Sequence, residues 1–385
     1  MEMTKVKELV KQVRGVSYKP GDLHNELNEN SVILLRANNI DDGQINFDDV
    51  VYVDKSKVSF EQYLKTGDVL ICASSGSKNL VGKAASVRMD KECTFGAFCK
   101  AVRPKEGFED YIGIYFQSPI YRRKISDVAL GANINNIRNE HIDSLDIPVY
   151  SEMEQEDIVK KMHLLQEIIS NRRAELAKLD ELIKARFVEM FSDGYSPLKT
   201  VEEICSNIVD CPHTTPKYEG ELKNPTIRTS EIKKGFLVWN TMRYVSDDEY
   251  LERTVRLIPE AGDIVYGREG TFGNAAILPA GYKFCLGQRV MLLRPDYSKC
   301  TSEYLLHAII SDDVYQQAVV KNNASTVAHV NVKDVKQFKV PLPSLDKQKK
   351  FADFVHKVDK SKVAVQAALE ETQLMFDSLM QEYFG

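Results

Sequence analysis

The run Gly76–Ala84 is the part of this sequence closest to a catalytic motif, because it combines glycines with lysines. Glycines let backbone N–H groups approach a phosphate, and a lysine can neutralise its charge. The spacing departs from that of a nucleotide-binding loop, since five residues instead of four separate the glycines and an alanine stands where a hydroxyl must hold magnesium. The corresponding stretch Gly267–Asn274 has no lysine. Nucleotide binding through Lys83 is therefore a distant alternative.

The cysteines and histidines provide no second catalytic candidate. Seven cysteines without a C-x-x-C pair favour reduced thiols over a disulfide framework or a zinc ribbon. Cys205, Cys211 and His213 could be three metal ligands, but a structural zinc site needs a fourth ligand at suitable spacing. The sequence thus predicts no catalytic residue, no metal site and no cofactor for this chain.

Polar loop residues form a candidate set for contact with DNA. Arginine, lysine, asparagine, glutamine and hydroxyl side chains read base edges and hold phosphates, and they are also common in ordinary loops. The residue types alone leave both interpretations open. We hypothesise that Arg268, in the Gly-rich loop 267–272, contacts DNA. The full candidate set is Arg36, Asn38, Ser75, Ser77, Lys78, Asn133, Asn135, His213, Thr214, Thr215, Lys217, Arg228, Arg268, Thr271, Gln288, Arg289, Asn322 and Asn323.

Composition bounds the class of protein. A chain of 385 residues with 43% hydrophobic content can form two or three domains. A net charge of −5 does not indicate a strongly basic nucleic-acid-binding domain, so DNA contact would depend on local basic loops or on a partner. The charged N-terminal stretch lacks a signal-peptide core, and no run of about 18 apolar residues occurs. We expect a cytoplasmic protein without membrane contact.

Two long helices must position these loops. Between residues 152 and 191, apolar residues recur at alternating steps of four and three, which predicts a coiled-coil seam. A shift of 193 residues reproduces the pattern near the C-terminus. A helix of nearly forty residues would be roughly 57 Å long, so we expect the two helices to pack on each other. The predicted seam comprises Ile158, Met162, Leu165, Ile169, Leu176, Leu179, Ile183, Phe351, Val355, Val358, Val365, Leu369, Phe376 and Leu379.

The segments between the helices also repeat. Leu35–Ile40 matches Ile227–Ile232, and Thr66–Leu70 matches Ala261–Val265. The second segment begins at the C-terminal end of the first helix and ends at the N-terminal end of the second, so short linkers require an antiparallel pair. We predict an α+β fold with two pseudo-symmetric mixed α/β domains separated by two long helices in an antiparallel coiled coil. The alternative is that each helix packs on its own domain or on another protein.

Local signals place the boundaries of these segments. The pair Ser151 and Glu154 predicts a capping box at the start of the first long helix, and Gly194 predicts a left-handed cap after it. Residues 111–125 are predicted to be helical, and Pro148 to end a strand. The predicted organisation is domain 1–150, helix 151–192, domain 193–343 and helix 344–385.

The chain resembles the specificity subunits of type I restriction-modification systems over essentially all of its length. The resemblance rests on the twofold plan, on the helix segment 179–191, on the opening Asp210-Cys211-Pro212-His213 of the second domain, and on the Ile-Pro and Val-Pro pairs before the helices. The first domain departs from the pattern, because residues 14–20 lack the corresponding opening.

The resemblance implies a non-catalytic, DNA-reading subunit. Each domain would be a target recognition domain for half of a split DNA sequence, with the helices setting the gap and docking two methyltransferase subunits. Those subunits would bring S-adenosylmethionine and methylate adenine at N6, and motor-nuclease subunits would add restriction. Counterion release by the partners would explain an acidic DNA-binding chain. A coiled-coil scaffold without DNA contact is the first alternative. It would be favoured if the chain together with its modification subunit showed no preference among DNA sequences.

Overall fold

A computed structural model describes residues 1–41, 43–76, 80–89, 91–131, 136–192, 194–220, 223–270, 272–321 and 329–385, apart from the side chains of 128–131 and 321. Contacts divide the chain into two compact units. Unit 1 comprises residues 1–173 and 366–385, and unit 2 comprises residues 174–365. Each long helix therefore contributes to both units.

Unit 1 contains two four-stranded sheets and two two-stranded ribbons. Its strands are β1 (Glu2–Lys5), β2 (Val10–Arg14), β3 (Leu23–His24), β4 (Ser31–Leu35), β5 (Ile40–Asp41), β6 (Gln44–Ile45), β7 (Val51–Asp54), β8 (Val69–Cys72), β9 (Ala84–Ser86), β10 (Cys93–Phe95), β11 (Cys99–Pro104) and β12 (Asp146–Val149). The short helices are α1 (Glu109–Tyr115), α2 (Pro119–Gly131) and α3 (Asn139–Asp143). One sheet has the antiparallel order β2-β11-β8-β9, the other has the mixed order β10-β4-β7-β3, β1 pairs with β12, and β5 pairs with β6. The first long helix, α4 (Glu152–Phe191), follows β12.

Unit 2 repeats this topology. Its strands are β13 (Leu198–Thr200), β14 (Cys205–Asp210), β15 (Tyr218–Glu219), β16 (Asn224–Ile227), β17 (Arg243–Val245), β18 (Ile264–Gly267), β19 (Ala275–Ile277), β20 (Cys285–Leu286), β21 (Val290–Pro295) and β22 (Lys339–Pro341). The helices are α5 (Val201–Ile204), α6 (Asp247–Arg253), α7 (Ser302–Ile309), α8 (Asp312–Lys321), α9 (Val332–Lys336) and the second long helix α10 (Leu345–Phe384). The sheet orders β14-β21-β18-β19 and β15-β17-β16-β20 match those of unit 1, and β13 pairs with β22 as β1 does with β12.

The same buried ion pair holds the antiparallel sheet in each unit. In unit 1, Arg103 on β11 donates from Nε and Nη2 to the two carboxylate oxygens of Asp68, over 2.8 and 2.7 Å. In unit 2, Arg294 on β21 donates to both oxygens of Asp263, over 2.8 and 2.8 Å. Both aspartates are only 1% exposed. The bidentate geometry satisfies both charges, so each pair can remain buried.

The long helices pair within each unit, and they do so in opposite directions. In unit 1, the N-terminal part of α4 packs against the C-terminal part of α10, with Met162 and Leu165 in one apolar cluster with Phe376. In unit 2, the C-terminal part of α4 packs against the N-terminal part of α10, with Ile183 in one cluster with Phe351. The predicted fold class, with its antiparallel coiled coil, is confirmed.

The predicted seam residues differ in burial along the helices. Most of those near the helix ends are buried, whereas the central ones and Leu379 are half-buried. The buried members are Ile158, Met162, Leu165, Ile169, Ile183, Phe351, Val355, Val358 and Phe376, and the half-buried members are Leu176, Leu179, Val365, Leu369 and Leu379. The helices also meet the domain cores, because the clusters that contain the buried seam residues include strand and short-helix residues.

Local predictions were right at the start of α4 and wrong at two prolines. Glu154 accepts hydrogen bonds from the backbone N–H and hydroxyl of Ser151, at 3.0 and 2.7 Å, and Gly194 has φ 73. The single helix predicted over 111–125 is two helices, since Pro119 begins α2 after a break and its ring disfavours continuation from α1. Pro148 lies inside β12, opposite Met3 of an edge pairing, where a missing N–H is tolerated.

One half-buried histidine predicts a pH dependence of stability. His307 lies between Phe187 and Phe351, with ring centroids 6.2 and 5.3 Å away. Burial, together with a smaller effect of Lys362, lowers the pKa of His307 to about 4, although Asp180 opposes this. The unfolded chain therefore binds one more proton between about pH 6.5 and 4, so the free energy of unfolding should fall as the pH falls through that window.

We expect the pH dependence of the free energy of unfolding to be smaller in a His307→Gln variant, by up to about 1.4 kcal/mol per pH unit. Urea unfolding of the full chain between pH 4 and 7, followed in unit 2, measures this slope. Val363 on α10, which is 70% exposed and does not titrate, offers the control. Val363→Ala should keep the parent slope. Equal slopes in the parent and His307→Gln would contradict the assignment.

The remaining sequence expectations concern membranes and metals. Within the described part of the chain, no helix combines the length and apolarity needed to cross a membrane. All seven cysteines are free thiols. Among the described residues, no group of three or more His, Cys, Asp or Glu is placed to hold a metal ion.

Candidate nucleic-acid interface

In unit 1, the loops after β4 and β8 meet the turn between β10 and β11 around one cavity. It has a volume of about 320 Å³ and is lined by Tyr18, residues 36–38 and 74–76, Gly96, Phe98 and Cys99. Three predicted binding residues, Arg36, Asn38 and Ser75, therefore lie together, although 39 positions separate the first from the last. The strand ends bring them together.

Asp49 holds two of these side chains. Its Oδ2 accepts a hydrogen bond from Arg36 Nη2 at 3.1 Å and another from Asn38 Nδ2 at 2.9 Å. The side chain of Asp49 is 75% exposed. An exposed ion pair of this kind contributes about 0–1 kcal/mol to stability. A base or a phosphate could therefore replace Asp49 as the partner of these side chains at little cost in free energy.

In unit 2, the equivalent arginine is more firmly held. Arg228 Nε donates to Oε2 of the fully buried Glu231 at 3.0 Å, and its Nη2 donates to the carbonyl of Thr241 at 3.0 Å. The guanidinium carbons of Arg228 and Arg243 lie 5.9 and 4.9 Å from the ring centroid of Tyr218. Burial raises the pKa of the Tyr218 phenol, with the arginines opposing, so the ring faces two cations in its neutral form.

The loop after β14 carries four predicted residues, His213, Thr214, Thr215 and Lys217, all of them exposed. Arg253 anchors this loop from below. Its Nη2 donates to the carbonyl of Thr214 at 3.1 Å, and its Nη1 donates to buried Glu249 at 3.1 Å. The loop is thus held by its backbone, and its side chains face solvent.

Arg268 is buried, whereas its place in a polar Gly-rich loop indicated an exposed side chain. The side chain is 6% exposed, and Nη2 donates to Asp210 Oδ1 at 2.8 Å. The other oxygen of Asp210 lies 3.3 Å from His213 Nε2. Contact between Arg268 and DNA stays a prediction, and it would need this buried ion pair to open. In the described geometry Arg268 positions Asp210, which in turn holds His213.

Gln288 and Arg289 lie in the turn between β20 and β21. Gln288 is half-buried, whereas the side chain of Arg289 is 62% exposed and its Nε lies 2.8 Å from Glu269 Oε2. Arg289 thus presents a cation at the surface, one residue from the start of β21. The other predicted binding residues, Ser77, Lys78, Asn133, Asn135, Thr271, Asn322 and Asn323, lie outside the described residues.

The sequence analysis missed several residues of this region. Tyr18 and Phe98 line the cavity of unit 1, Asp49 orients its polar side chains, and Arg253 anchors the loop of unit 2. The internal repeat contained a signal for Phe98, because Gly96 and Gly287 stand at equivalent places before β11 and β21. No local pattern marks Asp49, or the contact between Arg253 and Thr214, which lies 39 positions away.

Comparison with known families gives one match within the chain. Residues 217–372 match the family model described as the type I restriction modification DNA specificity domain. Among solved structures, the S subunit of a type I restriction-modification system from M. genitalium has a TM-score of 0.55 at 15% identity, covering 100% of this chain and 96% of that one. A chain from a type I R-M system, studied for complex assembly and conformational transition, has a TM-score of 0.54 at 15% identity, covering 100% and 97%. These structures share the fold.

Two curated proteins extend the comparison to sequence. The EcoKI type I restriction enzyme specificity subunit of Escherichia coli (strain K12) is 31% identical over 275 residues, 66% of this chain and 58% of that protein. The StySPI type I restriction enzyme specificity subunit of Salmonella potsdam is 30% identical over 374 residues, 90% of this chain and 79% of that protein. Identity at this level along most of both chains shows that the protein belongs to the family of type I restriction enzyme specificity subunits.

Proposed function

We propose that this chain reads a bipartite DNA sequence, with residues 1–150 and 193–343 as two target recognition domains, one for each half-site. The observation that carries the proposal is a repeated scaffold with unlike side chains. Asn39 accepts a hydrogen bond from the backbone N–H of Arg36 at 2.8 Å, and Glu231 accepts one from Arg228 at 3.0 Å. The same loop therefore recurs with different polar groups, as two readers of different sequences require.

The chemistry of modification would belong to partner chains. We propose that two methyltransferase subunits dock on the long helices and methylate adenine, that motor-nuclease subunits join them, and that the chain itself is non-catalytic and cytoplasmic. Apolar side chains at the helix surfaces support docking, because exposed apolar groups favour burial against a partner. Those at least 47% exposed are Met153, Leu164, Leu182, Val188, Val363, Leu374 and Met375.

The charge of the chain fits a shared DNA interface. With 51 basic and 56 acidic residues, the chain alone offers little counterion release. Methyltransferase subunits that contact the duplex would supply the missing phosphate contacts. We therefore expect tight, sequence-selective binding only from the assembled complex.

The test is binding of the assembled complex to a library of randomised duplexes, with methylation mapped on the selected sequences. Two short conserved blocks separated by an unread gap would support the proposal. Binding without sequence preference would favour the scaffold alternative. If the parent chain bound ATP and the Lys83→Ala variant did not, the result would favour a nucleotide-dependent enzyme. In the structure, Lys83 Nζ lies 3.7 Å from Asp41 Oδ1.

Lys217 gives a residue-level prediction. It is exposed on the loop anchored by Arg253, so we expect it to contact a phosphate. Lys217→Ala should weaken binding to all duplexes alike and reduce the slope of log K against log[salt] by about 1. Lys199→Ala is the control, since Lys199 lies on the β13–β22 ribbon and pairs with Glu203 at 2.8 Å. An unchanged salt slope in Lys217→Ala would exclude the phosphate contact.

A further inference from the structure

The turn between β10 and β11 presents a large apolar side chain to solvent. Phe98 is 63% exposed, although it lies beside the buried strand β11. Its carbonyl accepts hydrogen bonds from the backbone N–H groups of Ala73 and Ser74, both at 2.9 Å. A Cβ atom at Gly96 would lie 2.9 Å from Tyr18 Cε1, so the turn can approach this ring only with glycine there. The backbone of the turn is thus fixed while the Phe98 ring projects.

The turn between β20 and β21 is built in the same way. Arg289 accepts a hydrogen bond through its carbonyl from the backbone N–H of Arg268 at 2.9 Å. Gly287 donates to the carbonyl of Ile227 at 2.7 Å, as Gly96 does to Leu35 in unit 1 at 2.9 Å. The backbone contacts are therefore repeated.

Arg289 also holds an unfavourable backbone conformation. Its φ is 67, the only positive φ of a non-glycine residue in the described part of the chain. Glycine would take this conformation without strain, whereas the left-handed region is unfavourable for an L-residue. Strained residues of this kind concentrate at functional sites. An arginine in this strained position is therefore a candidate for a functional role.

We propose that Phe98 and Arg289 are equivalent base-reading residues, and that Phe98 selects thymine in one half-site while Arg289 selects guanine in the other. The inference rests on the proposed function and assigns chemistry to one position of each domain. Apolar side chains read the 5-methyl group of thymine in the major groove, and arginine reads O6 and N7 of guanine with two parallel hydrogen bonds.

The neighbours of each residue suit its role. Phe98 forms one wall of the cavity that also exposes Arg36 and Asn38, so an apolar contact would lie beside groups that can hydrogen-bond the same base pair. Arg289 is oriented through Nε by Glu269, at 2.8 Å, so with respect to the described residues both Nη atoms remain for a bidentate contact. Glu269 is a positioning residue in this arrangement.

Phe98 is tested with deoxyuridine, which lacks only the methyl group. The full chain, assembled with its methyltransferase subunits, should bind a duplex with thymine at one position of the first half-site several-fold more tightly than the same duplex with deoxyuridine at that position. Phe98→Ala should abolish this preference, and Phe98→Leu should keep part of it. A Phe98→Ala complex that weakens on all duplexes alike, or that keeps the full preference for thymine, would overturn the assignment.

Arg289 is tested by a variant that keeps the charge. Arg289→Lys should lose discrimination for one guanine of the second half-site by about 5- to 150-fold, because lysine cannot make the bidentate contact. A phosphate contact would instead survive in Arg289→Lys, and this outcome would overturn the proposal. Arg289→Gly should unfold at the same or a higher temperature than the parent, which shows that loss of reading is not loss of fold.

Failure of the inference and failure of the proposed function give different results. If the parent complex selects no sequence at all, the proposed function is wrong. If the parent selects two half-sites and both variants select the same ones unchanged, only the assignment of Phe98 and Arg289 is wrong. Each variant should also leave the sequence read in the other half-site unchanged, since each residue belongs to one domain.

Discussion

Replacing Asp68 by alanine is expected to lower the free energy of unfolding by about 3–5 kcal/mol, because it leaves the partly buried guanidinium of Arg103 without its carboxylate. Asp68 is 1% exposed, and the side chain of Arg103 is 17% exposed. The carboxylate also accepts a hydrogen bond from the backbone N–H of Lys65 at 2.9 Å. The substitution therefore breaks a network that joins β11 to the turn before β8.

Hydrogen exchange measured on peptides of unit 1 is the appropriate readout, because a chain with two units need not unfold in one step. Protection of β8 and β11 amides should fall sharply in Asp68→Ala. Asp49→Ala is the matched control, since Asp49 pairs with Arg36 while its side chain is 75% exposed, and such pairs contribute about 0–1 kcal/mol. Equal losses in the two variants would show that burial of the Asp68 pair is unimportant.

The internal repeat makes the prediction sharper. Asp263→Ala should have a similar effect on unit 2, because Asp263 makes the same bidentate contact with Arg294. Replacing both members of one pair, as in Asp68→Leu with Arg103→Met, should recover much of the loss, since no charge then remains unpaired. A double variant as unstable as Asp68→Ala would contradict this account.

Replacing Phe351 by alanine is expected to cost unit 2 about 3–5 kcal/mol. Phe351 on α10 is fully buried, and its ring centroid lies 5.5 Å from that of Phe187 and 5.4 Å from that of Phe191, both on α4. The substitution would leave a cavity where the two long helices meet the core of unit 2. Loss of the aromatic contacts adds to the lost burial.

Urea unfolding followed with hydrogen exchange of unit 2 peptides measures this effect. Val363→Ala provides the control for stability, though not for assembly, on the same helix, because Val363 is 70% exposed and a surface substitution changes stability by about 0.5 kcal/mol or less. Phe351→Ala should also reduce assembly with the methyltransferase subunits if they dock on a paired α4 and α10. Full stability of Phe351→Ala would mean that the helices pair in unit 2 without this contact.

The parts of the structure that depend on local periodicity could be predicted from the sequence. The seam of α4 and α10 follows from alternating steps of four and three, and the cap at Ser151 follows from one residue and its neighbour three positions on. The repeat also predicted the antiparallel pairing, because short linkers allow no other direction. These inferences need only spacing along the chain. Pro119 was an available local signal that the predicted single helix overlooked.

Which loop side chains face solvent could not be predicted from the sequence and depends on the tertiary fold. Arg268 and Arg289 both belong to polar loops of unit 2, yet the first is buried against Asp210 and the second is exposed. Asp210 lies 58 positions from Arg268, so nothing in the local pattern of either loop reveals the pair. The exposure of a loop residue depends on which distant strands pack beside it, and this information resides in the contacts between segments. For the same reason the exposure of Phe98, an apolar residue in a short turn that lines a cavity, follows from the packing of distant segments.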